Sequence, residues 1–208
     1  MPDFCLEDLA RQEGGAVVAG VDEAGRGPWA GPVVAGAVIL DAETIKPALR
    51  FGLDDSKKLS AGKRNELFEL LAAGTIIGVG RAEVAEIDAV NILEATMRAM
   101  ARAVDALGRR PDVALIDGNR APVLPCRVRC VIGGDGKSLS IAAASIVAKV
   151  TRDRLMAELA ERFPGYGWER NAGYGTAEHR DALARRGVSA EHRRSYAPVR
   201  KMLGVVGA

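Results

Sequence analysis

Two stretches of the sequence place carboxylates directly after apolar runs. Asp22 and Glu23 follow residues 17–21, and Asp117 follows residues 113–116. Both runs are rich in β-branched residues, which predicts that each set of acids ends a strand. In open α/β sheets, sites form at the carboxyl ends of the strands. Oxygen ligands of this kind suit Mg²⁺ or Mn²⁺, and two such ions can activate water for phosphodiester hydrolysis.

Asp153 is the candidate for a fourth carboxylate. It follows Ser145 and Lys149 at intervals of four, so the three side chains share one face of a helix predicted over residues 138–162. A helix that passes the end of the sheet would carry Asp153 to the other acids. The alternative stays open that Asp153 only forms a surface ion pair with Lys149.

The turn after the first two acids contains Gly25, Arg26 and Gly27. Adjacent residues of a regular strand point to opposite faces, so both acids reach one site only if the strand ends before them. The glycines make such an ending easy. The turn also fits a loose dinucleotide-binding fingerprint, but Pro28 leads into a second strand where that fingerprint requires a helix.

Length and charge limit the class of protein. The chain has 208 residues, 48% of them hydrophobic, and a net charge of +2, which predicts one globular domain over residues 1–208. From Lys149 onward, 12 basic residues stand against 7 acidic ones, and 22 of all 29 basic residues are Arg. A basic C-terminal quarter is typical of a polyanion-binding surface, and arginine favours forked contacts to phosphate. Ordinary charge scatter explains the distribution equally well.

Cysteine and histidine patterns argue against zinc and against secretion. Cys5, Cys126 and Cys130 form no CxxC pair and no signal peptide is visible, so a cytoplasmic location is expected. No apolar run reaches the ~18 residues of a membrane span. His179 and His192 have no metal-ligand spacing and are expected at the surface. The chain is expected to be a monomer and not to associate with a membrane.

The elements that position these residues alternate in type. Strands are predicted, with the first two antiparallel because their turn is short, over residues 17–21, 33–40, 75–79, 113–116 and 128–132. Helices are predicted over residues 138–162 and after the caps Ser60, Asn91 and Thr176. The pattern predicts an α/β fold with a mixed sheet of about five strands.

The remaining segments are predicted to be less regular. Residues 1–15 read as a short amphipathic lead-in, to which no role is assigned. Residues 164–175 combine glycines with aromatic residues, which is typical of a loop with aromatic tips. They open a C-terminal helical and loop part over about residues 163–208 that includes a basic tail around residues 192–194.

Six motifs resemble those of one family, ribonuclease HII, the type 2 ribonuclease H. In chain order they are GVDEAGRGPWAGPVV (20–34), DDSKKLS (54–60), ALIDGNR (114–120), GDGKSLSIAAASIVAKVTRDR (134–154), GYGT (173–176) and HRRSYAPV (192–199). They cover most of the chain from about residue 17 to residue 200, and DEAGRGP is highly specific. The resemblance implies a ribonuclease H-like fold, with a five-stranded mixed sheet flanked by helices and a helical C-terminal part.

The same resemblance implies an activity and its substrates. Members of this family hydrolyse RNA within RNA–DNA hybrids and incise duplex DNA 5′ to embedded ribonucleotides, leaving 3′-hydroxyl and 5′-phosphate ends. By match to the motifs, two Mg²⁺ or Mn²⁺ ions would be held by Asp22, Glu23, Asp117 and Asp153.

The resemblance also implies how nucleic acid is bound. The backbone of Gly25, Arg26 and Gly27 would contact the 2′-hydroxyl of the ribonucleotide. Tyr174 would stack on the following sugar at the junction with DNA, and Lys57 would contact a phosphate. The 2′-hydroxyl is the group that distinguishes RNA from DNA at one position, and glycines allow the backbone to approach it closely.

Two other functions remain to be distinguished. A 3′–5′ exonuclease of similar fold would have its first two acids separated by one residue, whereas Asp22 and Glu23 are adjacent. A hybrid-binding protein without catalysis would gain nothing from convergent acids, because they would repel the phosphates. Cleavage of a duplex with one ribonucleotide, with and without Mg²⁺, separates the three.

Overall fold

The computed structural model describes residues 1–204 and contains a mixed sheet of five strands. The strands are β1 (Val18–Ala24), β2 (Val33–Ile39), β3 (Ile76–Ala82), β4 (Val113–Asp117) and β5 (Arg127–Val131). Their order is β3-β2-β1-β4-β5. The first three pair antiparallel, whereas β1–β4 and β4–β5 are parallel. This confirms the predicted α/β class and the mixed five-stranded sheet.

β1 extends further than the sequence suggested. The ladder with β2 continues through both acids, pairing Asp22 with Gly36 and Glu23 with Ala35 before β1 ends at Ala24. The expectation that the strand ends before the acids was therefore wrong, and so was the condition attached to it, because both acids line one cavity at the end of β1. Pairing with a complete neighbouring strand outweighs the tendency of the following glycines to end it.

Helices cover the sheet and extend beyond it. In the described chain they are α1 (Cys5–Gln12), α2 (Pro47–Gly52), α3 (Ala61–Gly74), α4 (Val84–Val90), α5 (Ile92–Asp105), α6 (Leu139–Arg162), α7 (Trp168–Asn171), α8 (Ala177–Arg186) and α9 (Ala197–Met202). The expected caps form: Ser60, Asn91 and Thr176 each accept a hydrogen bond from the first turn of their helix. No helix in residues 1–204 is both long and apolar enough to cross a membrane.

Glycines allow α6 to lie directly on the sheet. A Cβ atom on Gly20 would stand 2.1 Å from the carbonyl carbon of Ser140, and one on Gly36 would stand 2.5 Å from the carbonyl oxygen of Ala144. On the opposite face, alternate small residues of β1 and β2 pack against the alanines of α5. The core is therefore three layers thick, and α6 is fixed in relation to the end of β1.

The N-terminal segment is tied to the start of α6. The Glu7 carboxylate is buried, and its Oε1 atom accepts hydrogen bonds from the Ser138 hydroxyl at 2.6 Å and from the Ser140 amide at 2.9 Å. Leu139 N donates to the carbonyl of Asp3. Residues 1–15, for which the motifs give no role, thus hold the N-terminus of α6 in place.

The C-terminal part is more ordered than its composition indicated. The segment expected as a loop contains α7, with Tyr166 and Trp168 buried beneath it, and of its aromatic side chains Tyr174 is the one that is exposed. His192 and Arg193, expected in an exposed basic tail, are fully buried. A sequence segment of glycines and aromatic residues can form either an exposed loop or part of the core. Which of the two it forms depends on the surface against which it packs.

Candidate active site

A cavity of about 330 Å³ lies beyond the end of β1. We call it the carboxylate cavity, and its lining comprises Asp22, Glu23, Ala24, Gly25, Arg26, Gly27, Ser56, Lys57, Ser145, Lys149, Arg152 and Tyr174. Since β4 is parallel to β1 and adjacent to it, the acid that ends β4 lies at the same edge of the sheet. The fold thus brings together residues from five separate parts of the chain.

Asp22 is the most buried of the acids, with 6% of its surface exposed. Its Oδ1 atom accepts a hydrogen bond of 2.7 Å from the backbone N–H of Glu23. Burial raises the pKa of Asp22 well above its ordinary value, and the charges of Glu23, Asp117 and Asp135 raise it further. Several carboxylates therefore compete for the same small volume, which favours either a shared proton or a bound cation.

Glu23 has a cationic neighbour, unlike Asp22. The Oε1 atom of Glu23 lies 3.2 Å from the guanidinium of Arg26. Burial raises the pKa of Glu23, Arg26 opposes this, and the charge of Asp117 adds to it. The pKa remains raised, so Arg26 offsets only part of the negative charge.

A carboxylate that the sequence reasoning missed, Asp135, belongs to this group. It lies in a single 3₁₀ turn over Gly134–Gly136, between β5 and α6. Gly134 N donates to Asp117 Oδ1 at 2.7 Å, which holds this turn against the end of β4. Burial raises the pKa of Asp135, followed by the charges of Asp55 and Asp117. An acid between two glycines directly before a capped helix was the available signal.

Asp117, Asp135 and Asp153 are all outside the lining of the carboxylate cavity, but the charges of Asp117 and Asp135 raise the pKa of Asp22, whereas Asp153 is paired with cations. The Asp153 carboxylate lies 2.7 Å from Lys149 Nζ and 4.0 Å from the Arg64 guanidinium, in a neighbouring depression on the other side of Lys149. The structure therefore does not bring Asp153 to the other acids, contrary to the expectation. The spacing of four that suggested a shared face instead produces the i,i+4 ion pair.

The acids of the site lie near one another, but their carboxylates do not converge on one position where a metal ion could bind. Within residues 1–204, no three Asp, Glu, His or Cys side chains converge closely enough to enclose a metal ion. Asp22 is hydrogen-bonded to the Glu23 amide, Glu23 faces Arg26, and Asp117 accepts from the Gly134 amide. Binding a cation would require these side chains to turn towards each other.

The glycine turn at residues 25–27 is held from behind by a buried arginine. Arg193 donates to the carbonyls of Gly25 at 2.6 Å and of Arg26 at 3.0 Å. Gly25 has φ of +99°, and a Cβ there would stand 2.0 Å from Nε of Arg152. Only glycine fits at position 25. The turn is held in place because the carbonyls of Gly25 and Arg26 both point at Arg193.

Arg152 supports the same region from the α6 side. It is fully buried and donates to the carbonyls of Ala30, Pro32 and Ala172 at 3.0 to 3.2 Å. Burial lowers the pKa of Arg152 to about 10, and the nearby charge of Arg193 contributes. This value leaves the guanidinium charged at neutral pH, so backbone carbonyls satisfy its donors in place of a carboxylate.

Lys57 lines the same cavity as the glycine turn. Burial lowers its pKa, but the charges of Asp55, Asp135 and Asp22 outweigh this and raise it. The loop is anchored by the hydroxyl of the preceding residue, Ser56, which lies 2.7 Å from the hydroxyl of Ser145. Lys57 is thus a fixed positive charge beside the acids.

Tyr174 lies next to the glycine turn in the lining of the cavity. Its side chain is 47% exposed, and a Cβ on Gly27 would stand 3.5 Å from its ring. The preceding residue, Gly173, has φ of +80° and accepts a backbone hydrogen bond from Trp29. The ring of Tyr174 and the glycine backbone therefore lie side by side in the lining of one cavity.

The two histidines are not at the surface. His179 and His192 are fully buried under residue 174, with their Nε2 atoms 3.0 Å apart. The expectation of ordinary surface residues was wrong, because α8 and the chain after it fold back over α7. Sequence spacing could not show this, since the contacts join residues from three separate elements.

Comparisons with known proteins agree with this architecture. The family model described as ribonuclease HII matches residues 19–199. Ribonuclease HII of Paramagnetospirillum magneticum is 63% identical over 199 residues, covering 96% of this chain and 97% of that protein. Ribonuclease HII of Rhodospirillum rubrum is 61% identical over 205 residues, covering 98% and 92%.

A solved structure matches in three dimensions as well. The ribonuclease H2 of Pyrococcus horikoshii superposes with a TM-score of 0.74 at 30% identity, covering 89% of this chain and 96% of that one. The family match spans the strands that end in acids, the glycine turn and Tyr174. The chain therefore belongs to the ribonuclease HII family of ribonuclease H enzymes, which cleave RNA in RNA–DNA hybrids.

Proposed function

We propose that this protein is an endonuclease that also incises duplex DNA on the 5′ side of single embedded ribonucleotides. The observation that carries the proposal is the shared lining of the carboxylate cavity, in which Asp22 and Glu23 adjoin the glycine turn and Tyr174. Acids that could assist hydrolysis thus stand beside groups that could sense one 2′-hydroxyl. A protein that only binds hybrids would have no use for this concentration of negative charge.

Divalent cations, which the family generally uses, fit this donor set. We assign their binding to Asp22, Glu23, Asp117 and Asp135, with Asp135 in the place first given to Asp153. The donors are all carboxylate oxygens, and burial together with neighbouring carboxylate charges raises the pKa of Asp22, Glu23 and Asp135, with only partial compensation by Arg26 and Lys57. Such a set suits Mg²⁺ or Mn²⁺ and not zinc. Two bound ions would supply an activated water and a counter-charge for the leaving oxygen.

The chain's own groups orient the substrate. The glycine turn presents backbone to the cavity without side-chain bulk, so Gly25, Arg26 and Gly27 can lie against a 2′-hydroxyl. The ring of Tyr174 can stack on the next sugar, where a second hydroxyl would be excluded by its bulk. Lys57, in the lining of the same cavity, can hold a phosphate.

One assay tests the activity directly. A DNA duplex that contains a single ribonucleotide, labelled at either end, is incubated with and without Mg²⁺, beside an all-DNA duplex. We expect one cut, 5′ to the ribonucleotide, only with metal, leaving 3′-hydroxyl and 5′-phosphate ends. A ladder from the 3′ end would instead indicate an exonuclease, and tight binding without cleavage would indicate a binding protein.

A further inference from the structure

A buried chain of hydrogen bonds leads from Ser189 to Tyr174 through the histidine pair. His179 Nδ1 lies 2.9 Å from the carbonyl oxygen of Tyr174, and the Nε2 atoms of His179 and His192 are 3.0 Å apart. The rings of Tyr166 and Trp168 enclose both imidazoles, at centroid distances of 4.9 to 6.2 Å. Neither histidine lines the carboxylate cavity. The proposed hydrolysis therefore does not explain why two histidines are buried together.

The neighbours of His179 fix where its proton lies. The carbonyl of Tyr174 can only accept a hydrogen bond, so His179 Nδ1 must donate to it. The indole N–H of Trp168 can only donate, so His179 Nε2, at 3.1 Å, must accept. His179 is therefore neutral, with its proton on the nitrogen that faces Tyr174.

The same reasoning fixes the proton on His192. Because His179 Nε2 accepts, His192 Nε2 must donate to it. His192 Nδ1 then accepts from the backbone N–H of Ser189 at 3.0 Å and from the Ser189 hydroxyl at 2.8 Å. In this arrangement the lone pair of each accepting nitrogen is shared by two donors, and a proton added to either of these nitrogens would break both contacts.

From this geometry we infer that His179 is a positioning residue for Tyr174, and that His192 keeps His179 in the tautomer that this requires. The inference rests on the proposed function, in which Tyr174 contacts the sugar after the ribonucleotide. Tyr174 follows Gly173, whose φ of +80° lies in the region that favours glycine. Three hydrogen bonds hold the backbone of Tyr174: its N–H donates to the Asn171 carbonyl at 2.8 Å, and its carbonyl accepts from the Thr176 N–H at 2.8 Å and from His179 Nδ1 at 2.9 Å. The bond from His179 is the one of the three that a side chain donates.

Two substitutions of His179 separate positioning from packing. His179→Asn can place an amide N–H near the position of Nδ1, which keeps the donor for Tyr174 and removes the acceptor for Trp168 and His192. His179→Gln can place its amide oxygen near Nε2, which keeps that acceptor and removes the donor for Tyr174. The two variants therefore lose opposite ends of the same side chain.

The expected results run in opposite directions for activity and stability. On the single-ribonucleotide duplex, we expect His179→Gln to lower kcat/KM about tenfold and His179→Asn to stay near the parent value. In thermal unfolding, we expect His179→Asn to lower the midpoint more, because it leaves two buried donors unpaired. In a Tyr174→Ala background, His179→Gln should have little further effect on kcat/KM, since the ring that it positions is gone.

Two outcomes would overturn the inference while leaving the proposed function intact. One is a loss of kcat/KM that follows the order of the unfolding midpoints in both His179 variants, which would indicate packing alone. The other is a full additional loss from His179→Gln in the Tyr174→Ala background. Parental cleavage by Tyr174→Ala alone would overturn the role proposed for Tyr174 and, with it, this inference.

Discussion

At the scale of single residues, the site is defined by buried carboxylates whose pKa values are raised although cationic side chains stand beside them. Burial and neighbouring carboxylates raise the pKa of Asp22 well above its ordinary value. Arg26 lies beside Glu23 and Lys57 lies near the acids, but the pKa values of Asp22, Glu23 and Asp135 all remain raised. A cation between these acids would relieve their repulsion, which is the physical reason to expect metal dependence.

Replacing Asp22 with Asn should separate catalysis from binding. We expect Asp22→Asn to abolish cleavage because one charged ligand is lost, while hybrid affinity stays near the parent value because Arg and Lys contacts to phosphate remain. Gel-shift titration and the cleavage assay on the same duplex measure the two effects. Retained turnover would remove Asp22 from the site.

Asp135 and Asp153 form a matched pair of tests for the fourth acid. Asp135→Asn should lower the cleavage rate on the order of a hundredfold or more, because its charge acts on both Asp22 and Asp117. Asp153→Asn should cleave near the parental rate, since its carboxylate faces Lys149 and Arg64 outside the cavity. The reverse order of rates would restore the assignment first made from the sequence.

At the scale of elements, the site depends on how closely α6 lies on the sheet. Gly20 in β1 and Gly36 in β2 have no side chain where the α6 backbone passes. Because these glycines have no Cβ atom, α6 can lie directly on the sheet. It thereby places Ser145, Lys149 and Arg152 at the end of β1. The Glu7 contacts hold the start of the same helix next to the turn that contains Asp135.

Adding one methyl group at this contact should destabilise the fold. In Gly20→Ala the new Cβ would meet the Ser140 backbone at 2.1 Å, so we expect a loss of about 1–3 kcal/mol in the free energy of unfolding. The control is Gly62→Ala in α3, where nothing lies within 4 Å. That change should leave stability unchanged or raise it by up to about 1 kcal/mol. Urea denaturation of both variants measures the difference, and equal effects would contradict the close contact.

At the scale of the whole molecule, the histidine pair links stability to pH. Burial lowers the pKa of His192 from 6.5 to about 4, and the adjacent His179 contributes. The unfolded chain binds a proton at His192 below about pH 6.5, whereas the folded chain does so only near pH 4. Since the unfolded state then carries more protons, stability falls as pH drops through this window and is unaffected above it.

Chemical denaturation between pH 7 and pH 4 tests this linkage. We expect His192 to contribute a loss of about 3 kcal/mol over that range, at about 1.4 kcal/mol for each unit of pKa shift. In His192→Gln, which cannot titrate, the part of the slope between pH 6.5 and pH 4 should be smaller. Carboxylates also titrate in this range, so the result is the difference between parent and variant, and identical slopes would show that His192 is not the source.

The sequence alone determined the fold class, the five strands and the principal helix caps, and it gave Asp22, Glu23 and Asp117 as the acids proposed for the site. Local patterns carry this information, because β-branched runs, caps and turn glycines act over a few residues. The motif order added the family, which the comparisons with ribonuclease HII proteins confirm. It also gave the proposed roles of the glycine turn, Lys57 and Tyr174.

Tertiary structure alone decided which acids adjoin and what the histidines do. Asp135 and Asp153 are both charged residues beside or within α6, and the packing of Gly134 against Asp117 is what places the turn of Asp135 next to the other acids. His179 and His192 gain their burial from elements far apart in the chain. Local sequence sets which residues can form an element, whereas the contacts between elements, made across long separations, decide which side chains share a pocket.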